Sequence, residues 1–126
     1  MKINITIPLP PVTKKNSQQI VRTKAGRWMV IPSKQYTKYE KSCKAYLRPH
    51  GINYPVNVEA LYYMPTKRRV DLCNLHEALC DVLVKHGVIE DDNSRIIVSM
   101  DGSRVLYDRE FPRTEVLISE VETPNR

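Results

Sequence analysis

Alternating apolar and polar residues mark three strands along the chain. Ile3, Ile5 and Ile7 alternate with polar residues, and residues 56–64 and 114–121 show the same period of two. Prolines follow the first two runs, and proline has no N–H to donate to a sheet ladder. Each run therefore predicts a strand with one buried face.

Shorter β-prone runs fill two other parts of the chain. Residues 19–23 and 27–31 are separated by a short link that contains Gly26, whose freedom to adopt positive φ favours a hairpin. Residues 95–100 form another β-prone run, and residues 104–107 follow after a turn signal. For this later region the pattern leaves two alternatives, a single strand or a second hairpin.

Apolar residues at helical spacing predict two helices. The first follows Ser33, a suitable N-cap, and should end before Pro49, because proline disfavours the α conformation in the residue before it. The second ends near Gly87, which suits the left-handed conformation of a helix C-terminus. Their apolar stripes are Tyr36, Tyr39, Cys43, Tyr46 and Leu47 in the first, and Leu72, Leu75, Leu79, Val82 and Leu83 in the second. Together the elements predict an α+β fold in one domain, residues 1–126, with a mixed β-sheet and two main helices packed against it.

Composition excludes several classes of protein. Hydrophobic residues make up 41% and charged residues 27% of the 126 residues, which are globular values. No apolar run approaches the roughly 20 residues that cross a bilayer, and the N-terminus lacks the apolar core of a signal peptide. Three cysteines suit buried thiols in a reducing compartment better than a disulfide framework. We expect a soluble cytoplasmic protein with no membrane partner.

Charge is distributed unevenly between the two parts of the chain. Residues 1–50 carry eleven Lys and Arg and one acid, whereas residues 51–126 carry nine Lys and Arg and thirteen acids. The net charges are therefore +10 and −4. A basic half indicates a polyanionic partner, and an acidic patch in a basic protein is consistent with metal binding. The alternative is that the basic residues only solvate exposed surfaces.

Acidic residues lie at both ends of the second predicted helix. Asp71 precedes it and can act as its N-cap, although Asn74 has the spacing of a competing cap. Glu90, Asp91 and Asp92 form a turn beyond its end, and three adjacent carboxylates repel one another unless a cation offsets them. Asp71 with Asp92 would offer the hard oxygen ligands that suit Mg²⁺ or Mn²⁺.

Basic residues just upstream of Asp71 could hold a phosphate near such a metal. They are Lys67, Arg68 and Arg69, and Lys14 and Lys15 after the first prolines are a second basic pair. Each has the alternative interpretation of a solvated loop.

Two other groups of residues have competing interpretations. Cys73, His76 and Cys80 are close in angle on one helix, but three ligands on a straight helix rarely converge on zinc, so we favour core thiols and a surface imidazole. Trp28 and the tyrosines could stack on bases, although core packing is the commoner role of such residues.

The acidic and helical motifs resemble a known family. The run Asp71-Leu72-Cys73-Asn74-Leu75, the helix, Gly87-Val88-Ile89 and Asp91-Asp92 are similar to the core of the RusA family of Holliday junction resolvases, which reads D-L-D-N-L, a helix, a glycine and a D-D turn. The resemblance implies a small homodimeric endonuclease, often encoded by phages or prophages, that functions in DNA recombination and repair. It implies symmetric cutting of four-way DNA junctions with Mg²⁺ or Mn²⁺ bound by aspartates.

Two positions depart from the family pattern. Cys73 replaces an aspartate, and Glu77 replaces a catalytic lysine. Cysteine is a poor ligand for Mg²⁺. Glu77, Asp91 or Asp81 could supply the missing carboxylate, the two matched aspartates could hold one metal through waters, or the site could be too weak to catalyse. The last alternative corresponds to a junction-binding protein of the same fold that has lost catalysis.

The resemblance and the residue analysis together define a predicted site. Its catalytic residues are Asp71, Asp92 and Glu77, its metal ligands are Asp71, Asp92 and Asp91, and its DNA contacts are Lys14, Lys15, Lys67, Arg68 and Arg69.

Overall fold

The computed structural model describes residues 1–14, 19–31 and 33–122, and within them the chain forms seven strands and two α-helices. The strands are β1 (Lys2–Ile7), β2 (Gln19–Arg22), β3 (Trp28–Ile31), β4 (Val56–Met64), β5 (Ile97–Ser99), β6 (Arg104–Tyr107) and β7 (Arg113–Glu120). The helices are α1 (Lys34–Cys43) and α2 (Leu72–Lys85). No helix in these ranges is long and apolar enough to cross a membrane.

Five strands form one mixed sheet around β4. Its order is β1-β7-β4-β5, and β6 also pairs with β4. The β1–β7 and β7–β4 pairs are antiparallel, whereas β5 and β6 both run parallel to β4. The predicted mixed sheet is confirmed.

One face of this sheet carries the hydrophobic core. Along β4, Val56, Val58, Ala60 and Tyr62 are at most 2% exposed, and their neighbours in sequence are half-buried. The alternation places the buried side chains on the face that the helices cover. The helices contribute Tyr39, Cys43, Leu75, Leu79, Val82 and Leu83 to the same buried cluster. The predicted α+β fold with two helices packed on the sheet is therefore confirmed.

The first helix begins after its predicted N-cap and ends before Pro49, as predicted. The Ser33 hydroxyl accepts a hydrogen bond from the Tyr36 N–H at 3.2 Å, as expected of an N-cap. The α-helix then ends at Cys43, and a 3₁₀ turn follows at Lys44–Tyr46. Leu47 is already extended and buried in the core, so the helix ends before Pro49 as expected, and Tyr46 and Leu47 of the predicted stripe lie beyond its last residue.

The end of α2 has the geometry of a Schellman motif. Gly87 has a φ of 73°, the Val88 N–H donates to the Leu83 carbonyl at 2.9 Å, and the Gly87 N–H donates to the Val84 carbonyl at 3.0 Å. Any other residue at position 87 would have to adopt this left-handed backbone conformation, and its Cβ would lie 3.3 Å from the Pro49 Cβ. The predicted helix C-terminus is therefore confirmed.

Hydrogen bonds tie the exit of α2 to the segment that enters β4. The Gly51 N–H donates to the Gly87 carbonyl at 2.9 Å, and the Glu90 N–H donates to the Ile52 carbonyl at 2.8 Å. Ile52 and Ile89 form a parallel bridge between these contacts, and both side chains are buried. These contacts fix where the acidic turn begins.

The strands after the acidic turn do not form a hairpin. β5 pairs with β4 at Val56 and Asn57, and β6 pairs in the same direction from Leu61 onward. Asn57 holds the intervening bulge, because its Nδ2 donates to the Asp101 carbonyl at 3.1 Å and its Oδ1 accepts from the Asp101 N–H at 2.8 Å. The single-strand and hairpin alternatives are thus both replaced by two successive strands on one edge of β4.

The early hairpin forms as predicted but its aromatic residue is not in the core. β2 and β3 pair antiparallel in a separate two-stranded sheet, and Gly26 adopts a φ of 81° between them. Trp28 is 70% exposed, whereas Tyr36, Tyr39 and Tyr62 are buried. Core packing therefore describes these tyrosines and does not describe Trp28.

The Asn57 contacts give a prediction about stability. We expect Asn57→Ala to lower the free energy of unfolding by about 2 kcal/mol, because the bulge loses its hydrogen bonds with Asp101 and Ser99. Asn57→Asp keeps the accepting oxygens and loses the Nδ2 donor, so it should lose less than Asn57→Ala. Urea unfolding followed by circular dichroism measures both changes. Equal stability of Asn57→Ala and wild type would contradict this role.

Candidate active site

Asp71 occupies the N-cap position of α2, but its side chain does not cap the helix. The Asp71 carbonyl accepts the first helical hydrogen bonds, from the N–H groups of Asn74 and Leu75 at 3.1 Å. Its carboxylate instead accepts a hydrogen bond from Asn74 Nδ2 at 3.2 Å. Asp71 rather than Asn74 is therefore the N-cap residue, and its exposed carboxylate is presented to solvent at the positive end of the helix dipole.

The acidic turn contains two carboxylates in different environments. Asp91 Oδ1 accepts from the Asp92 N–H at 2.8 Å and Asp91 Oδ2 accepts from Asn93 Nδ2 at 2.9 Å, and these bonds lower the pKa of Asp91. The pKa of Asp92 is raised by burial first, then by the negative charge of Asp91, and also by Asp81. Asp91 thus shapes the turn, and Asp92 carries the charge that a bound cation would offset.

Asp81 links the loop after β1 to α2. Its Oδ2 lies 3.0 Å from Lys14 Nζ, and both side chains are about one-third exposed. The Lys14 ammonium also lies 5.7 Å from the centroid of the Tyr36 ring, and the Tyr36 hydroxyl donates to Glu40 at 3.2 Å. Lys14, a predicted DNA contact, is therefore engaged by a carboxylate of α2.

Asp71 precedes α2, whereas the charge of Asp92 acts on residues in the second half of this helix. Cys80 and Asp81 follow Asp71 by about 14–15 Å along the helix axis, at 1.5 Å per residue. The charge of Asp92 contributes, after burial, to raising the pKa of Cys80, which reaches about 12. Asp92 is therefore within electrostatic reach of the second half of the helix. The joint binding of one cation by Asp71 and Asp92 stays a prediction.

The donor set can be compared with the needs of a magnesium ion. Among the residues that the structure describes, no three His, Cys, Asp or Glu side chains are grouped closely enough to hold a metal ion. Mg²⁺ commonly retains several waters and binds through one or two carboxylates together with substrate phosphates. Asp71 before α2 and Asp92 in the turn after it are both exposed, so either could bind a cation completed by waters and phosphate oxygens, and they do not form a closed protein cage.

The two positions that depart from the family pattern both lie on the surface of α2. Cys73 and Glu77 are exposed and four residues apart, so their side chains are neighbours on one helix face. Glu77 is therefore placed to contribute a carboxylate where Cys73 contributes a thiol. This role of Glu77 stays a prediction, as does that of Asp91.

The structure separates the residues considered for zinc. Cys80 is buried, Cys73 is exposed, and His76 is half-buried with Nδ1 2.8 Å from the Tyr62 hydroxyl. Burial lowers the pKa of His76. Cys80 is a core thiol as expected, whereas Cys73 is not, and His76 is a hydrogen-bonded residue of the sheet–helix interface rather than a surface imidazole.

The basic loop between β4 and α2 is exposed at Lys67, Arg68 and Arg69. Lys67 Nζ lies 5.3 Å from the centroid of the Tyr107 ring. Arg68 and Arg69 line a depression of about 250 Å³ together with residues of the loop after β1 and of α1, among them Thr13 and Gln35. This surface is positive and adjoins Asp71.

Two residues that the sequence analysis named, Lys15 and Asp81, differ in what the structure describes. Lys15, a predicted DNA contact, lies outside the described residues. Asp81 was considered only as a replacement carboxylate, and the structure adds its ion pair with Lys14 and its influence on Asp92. The signal in the sequence was its position on α2 ten residues after Asp71, but its partner is 67 residues away in the chain.

Comparison with known proteins gives two similarities. A family model described as endodeoxyribonuclease RusA matches residues 8–119, which run from the end of β1 to the penultimate residue of β7. A protein of Aquifex aeolicus (strain VF5) named crossover junction endodeoxyribonuclease RusA is 30% identical over 96 residues, which cover 73% of each chain. The range matched by the family model includes α2 and the acidic residues on either side of it.

The electrostatics of the acidic turn give a prediction about pH dependence. Because Asp92 has a raised pKa, it takes up a proton at a higher pH than an ordinary aspartate on acidification. We expect Asp81→Asn to lower the pKa of Asp92 in part, since burial is the largest cause of the shift. A cation bound through Asp92 would then be retained to lower pH. Carboxyl carbon chemical shifts in an NMR titration measure this pKa.

The control for that titration is Glu90→Gln. Glu90 is closer to Asp92 in sequence but is not among the groups that shift its pKa, so this variant should leave the Asp92 titration unchanged. Identical titration of Asp92 in wild type and Asp81→Asn would show that Asp81 does not act on it.

Proposed function

Because the chain belongs to the RusA family of endodeoxyribonucleases, we propose that it resolves four-way (Holliday) DNA junctions by hydrolysing phosphodiester bonds. In this proposal residues 1–126 act as one domain in a homodimer, with Mg²⁺ or Mn²⁺, during DNA recombination and repair in a bacterial or phage-infected cytoplasm. The observation that supports it best is that the matched range includes α2, whose ends carry exposed aspartates beside exposed Lys and Arg.

The basic loop provides the first step, which is binding of the DNA backbone. Lys67, Arg68 and Arg69 are exposed immediately before Asp71, so a phosphate held by them lies next to that carboxylate. Arg guanidinium groups bind phosphate oxygens in a bidentate manner, which fixes orientation as well as distance. The loop therefore positions the scissile phosphate at the start of α2.

Asp71 and Asp92 would hold the divalent cation together with water and phosphate oxygens. When bound, such a cation polarises the phosphate and lowers the pKa of an attacking water. In the hydrolysis the water oxygen forms a bond to phosphorus, one P–O bond to a sugar breaks, and the leaving oxygen takes up a proton. Glu77, one helical turn after Cys73, is placed to supply a further carboxylate.

The remaining charged residues position these groups. Asp91 fixes the turn through its hydrogen bonds to Asp92 and Asn93, so that Asp92 is held at a defined place beside α2. Lys14 offsets the charge of Asp81 and holds the loop after β1 against the helix. In this proposal Lys14 both holds the loop after β1 against the helix and contacts DNA.

A homodimer fits the reaction because resolution of a four-way junction needs two symmetric cuts. Two-fold dimers are the commonest assembly of identical chains, and their symmetry matches that of a paired incision. Sedimentation velocity of the purified protein tests this part of the proposal, and a monomer at working concentration would contradict it.

Cleavage of a junction is the decisive test. We expect wild type to nick a labelled four-way junction with Mg²⁺ or Mn²⁺, and Asp71→Asn to cut at least about a hundredfold more slowly, because several kcal/mol of charge stabilisation depend on the bound cation. Asp92→Asn should have a similar effect. The products are measured on denaturing gels under single-turnover conditions.

Asp101→Asn is the matched control for these variants. It makes the same chemical change at an exposed aspartate in the bulge between β5 and β6, and it should leave the cleavage rate unchanged. Absence of nicking by wild type in either metal, or equal nicking by Asp71→Asn, would contradict the proposed function. Gain of cleavage only in a Cys73→Asp, Glu77→Lys double variant would indicate a site that has lost activity.

Salt dependence tests the role of the basic loop. We expect the double variant Arg68→Ala, Arg69→Ala to bind the junction more weakly and to reduce the slope of log affinity against log salt by about one for each lost phosphate contact. Fluorescence anisotropy without divalent metal, at several salt concentrations, measures affinity separately from cleavage.

Lys2→Ala provides the control for charge alone. Lys2 pairs with Ser119, which lies opposite Asn57 at the start of β4, whereas the basic loop follows the end of β4. Removal of this distant charge should alter the salt slope little. An unchanged slope in the arginine variant would exclude the loop as a phosphate contact.

A further inference from the structure

One face of the β2–β3 hairpin is apolar and exposed. Trp28 pairs with Arg22 and Val30 pairs with Ile20, so these four side chains lie on the same face of the two-stranded sheet. Trp28 and Ile20 are each 70% exposed and Val30 is 57% exposed. We call this surface the Trp28 face. None of its residues belongs to the buried cluster of the main sheet.

The charge around the Trp28 face has one sign. Residues 19–31 include Arg22, Lys24 and Arg27 and no acidic residue. The Arg22 guanidinium lies 5.8 Å from the centroid of the Trp28 ring, within the range of a cation–π contact. An aromatic ring surrounded by cations is suited to a partner that is flat, apolar on its faces and negatively charged at its edges.

A nucleic acid with accessible bases has this combination, and other occupants fit less well. A second copy of the hairpin around a two-fold axis would place like charges together without a neutralising acid. A continuous duplex offers phosphates but keeps its base faces stacked. The branch point of a four-way junction offers both phosphates and base faces at the exchange between arms.

We propose that the Trp28 face stacks on a base at the branch point and thereby contributes to the choice of branched over linear DNA. This inference rests on the proposed function, and it adds a recognition surface to the site at α2. The flanking Arg22, Lys24 and Arg27 bind phosphates of the arms. Aromatic stacking is tolerant of sequence, because every base has a π-face.

Trp28 is the only tryptophan in the chain, so its fluorescence reports directly on this surface. The protein is titrated in EDTA with a four-way junction and, separately, with a linear duplex of equal length. We expect quenching of the emission and protection from acrylamide with the junction, and little of either with the duplex. In a junction carrying 2-aminopurine at the branch point, wild type should change the probe's emission, whereas Trp28→Ala should not.

Three variants test how much Trp28 contributes to the affinity for the junction. Trp28→Ala should weaken junction binding roughly tenfold, as expected for the loss of one stacked base, and leave duplex binding unchanged. Trp28→Phe keeps an aromatic ring and should retain most of the affinity. Met29→Ala is the matched control, because Met29 is also exposed but lies on the opposite face of the hairpin.

Several results would overturn the inference. They are unaltered Trp28 emission at saturating junction, equal junction affinity of Trp28→Ala and wild type, or a dimer that dissociates in sedimentation when Trp28 is replaced. If wild type cuts junctions while any of these results holds, only this inference fails. If wild type neither binds nor cuts junctions, the proposed function fails with it.

Discussion

The hydrogen bonds between the exit of α2 and the entry of β4 are the contacts on which the positions of the charged residues depend. A parallel strand pair needs a crossover, and α2 is the crossover from β4 to β5. Gly87 lets the chain leave the helix in a left-handed conformation, and Ile89 then pairs with Ile52. The start and end of α2 are thereby fixed relative to the sheet.

This arrangement has an electrostatic consequence at the acidic turn. The turn follows the Ile89–Ile52 bridge directly, so the bridge fixes where the turn leaves the sheet, and Asp92 lies within electrostatic reach of Asp81. Lys14 offsets Asp81, and the hydrogen bonds of Asp91 are local. The pKa of Asp92 is raised by burial first and then by the neighbouring carboxylates, of which Asp91 contributes more than Asp81.

Local patterns were sufficient to predict the elements whose cause is local. The alternation in β4, the Ser33 cap and the Gly87 terminus each depend on a few adjacent residues. The division of the edge beside β4 into β5 and β6 was missed because the bulge between them depends on Asn57, which bonds to Asp101 44 residues later. The exposure of Trp28 was missed for a similar reason, since it depends on the hairpin forming a sheet of its own.

The difference between local and long-range causes also matters at the candidate site, where two positions depart from the family pattern. In the family pattern an aspartate and a lysine occupy the positions of Cys73 and Glu77, whose charges sum to zero. Here Cys73 and Glu77 supply one carboxylate and no basic group, and the carboxylate lies about 6 Å further along the helix axis than the family aspartate would. The positive charge is what is lost, and Lys67, Arg68 and Arg69 are the exposed cations nearest in sequence that could replace it. A carboxylate displaced to Glu77, with its positive partner in the basic loop, stays a prediction, and its chemical requirement is one acidic and one basic group within reach of the same phosphate.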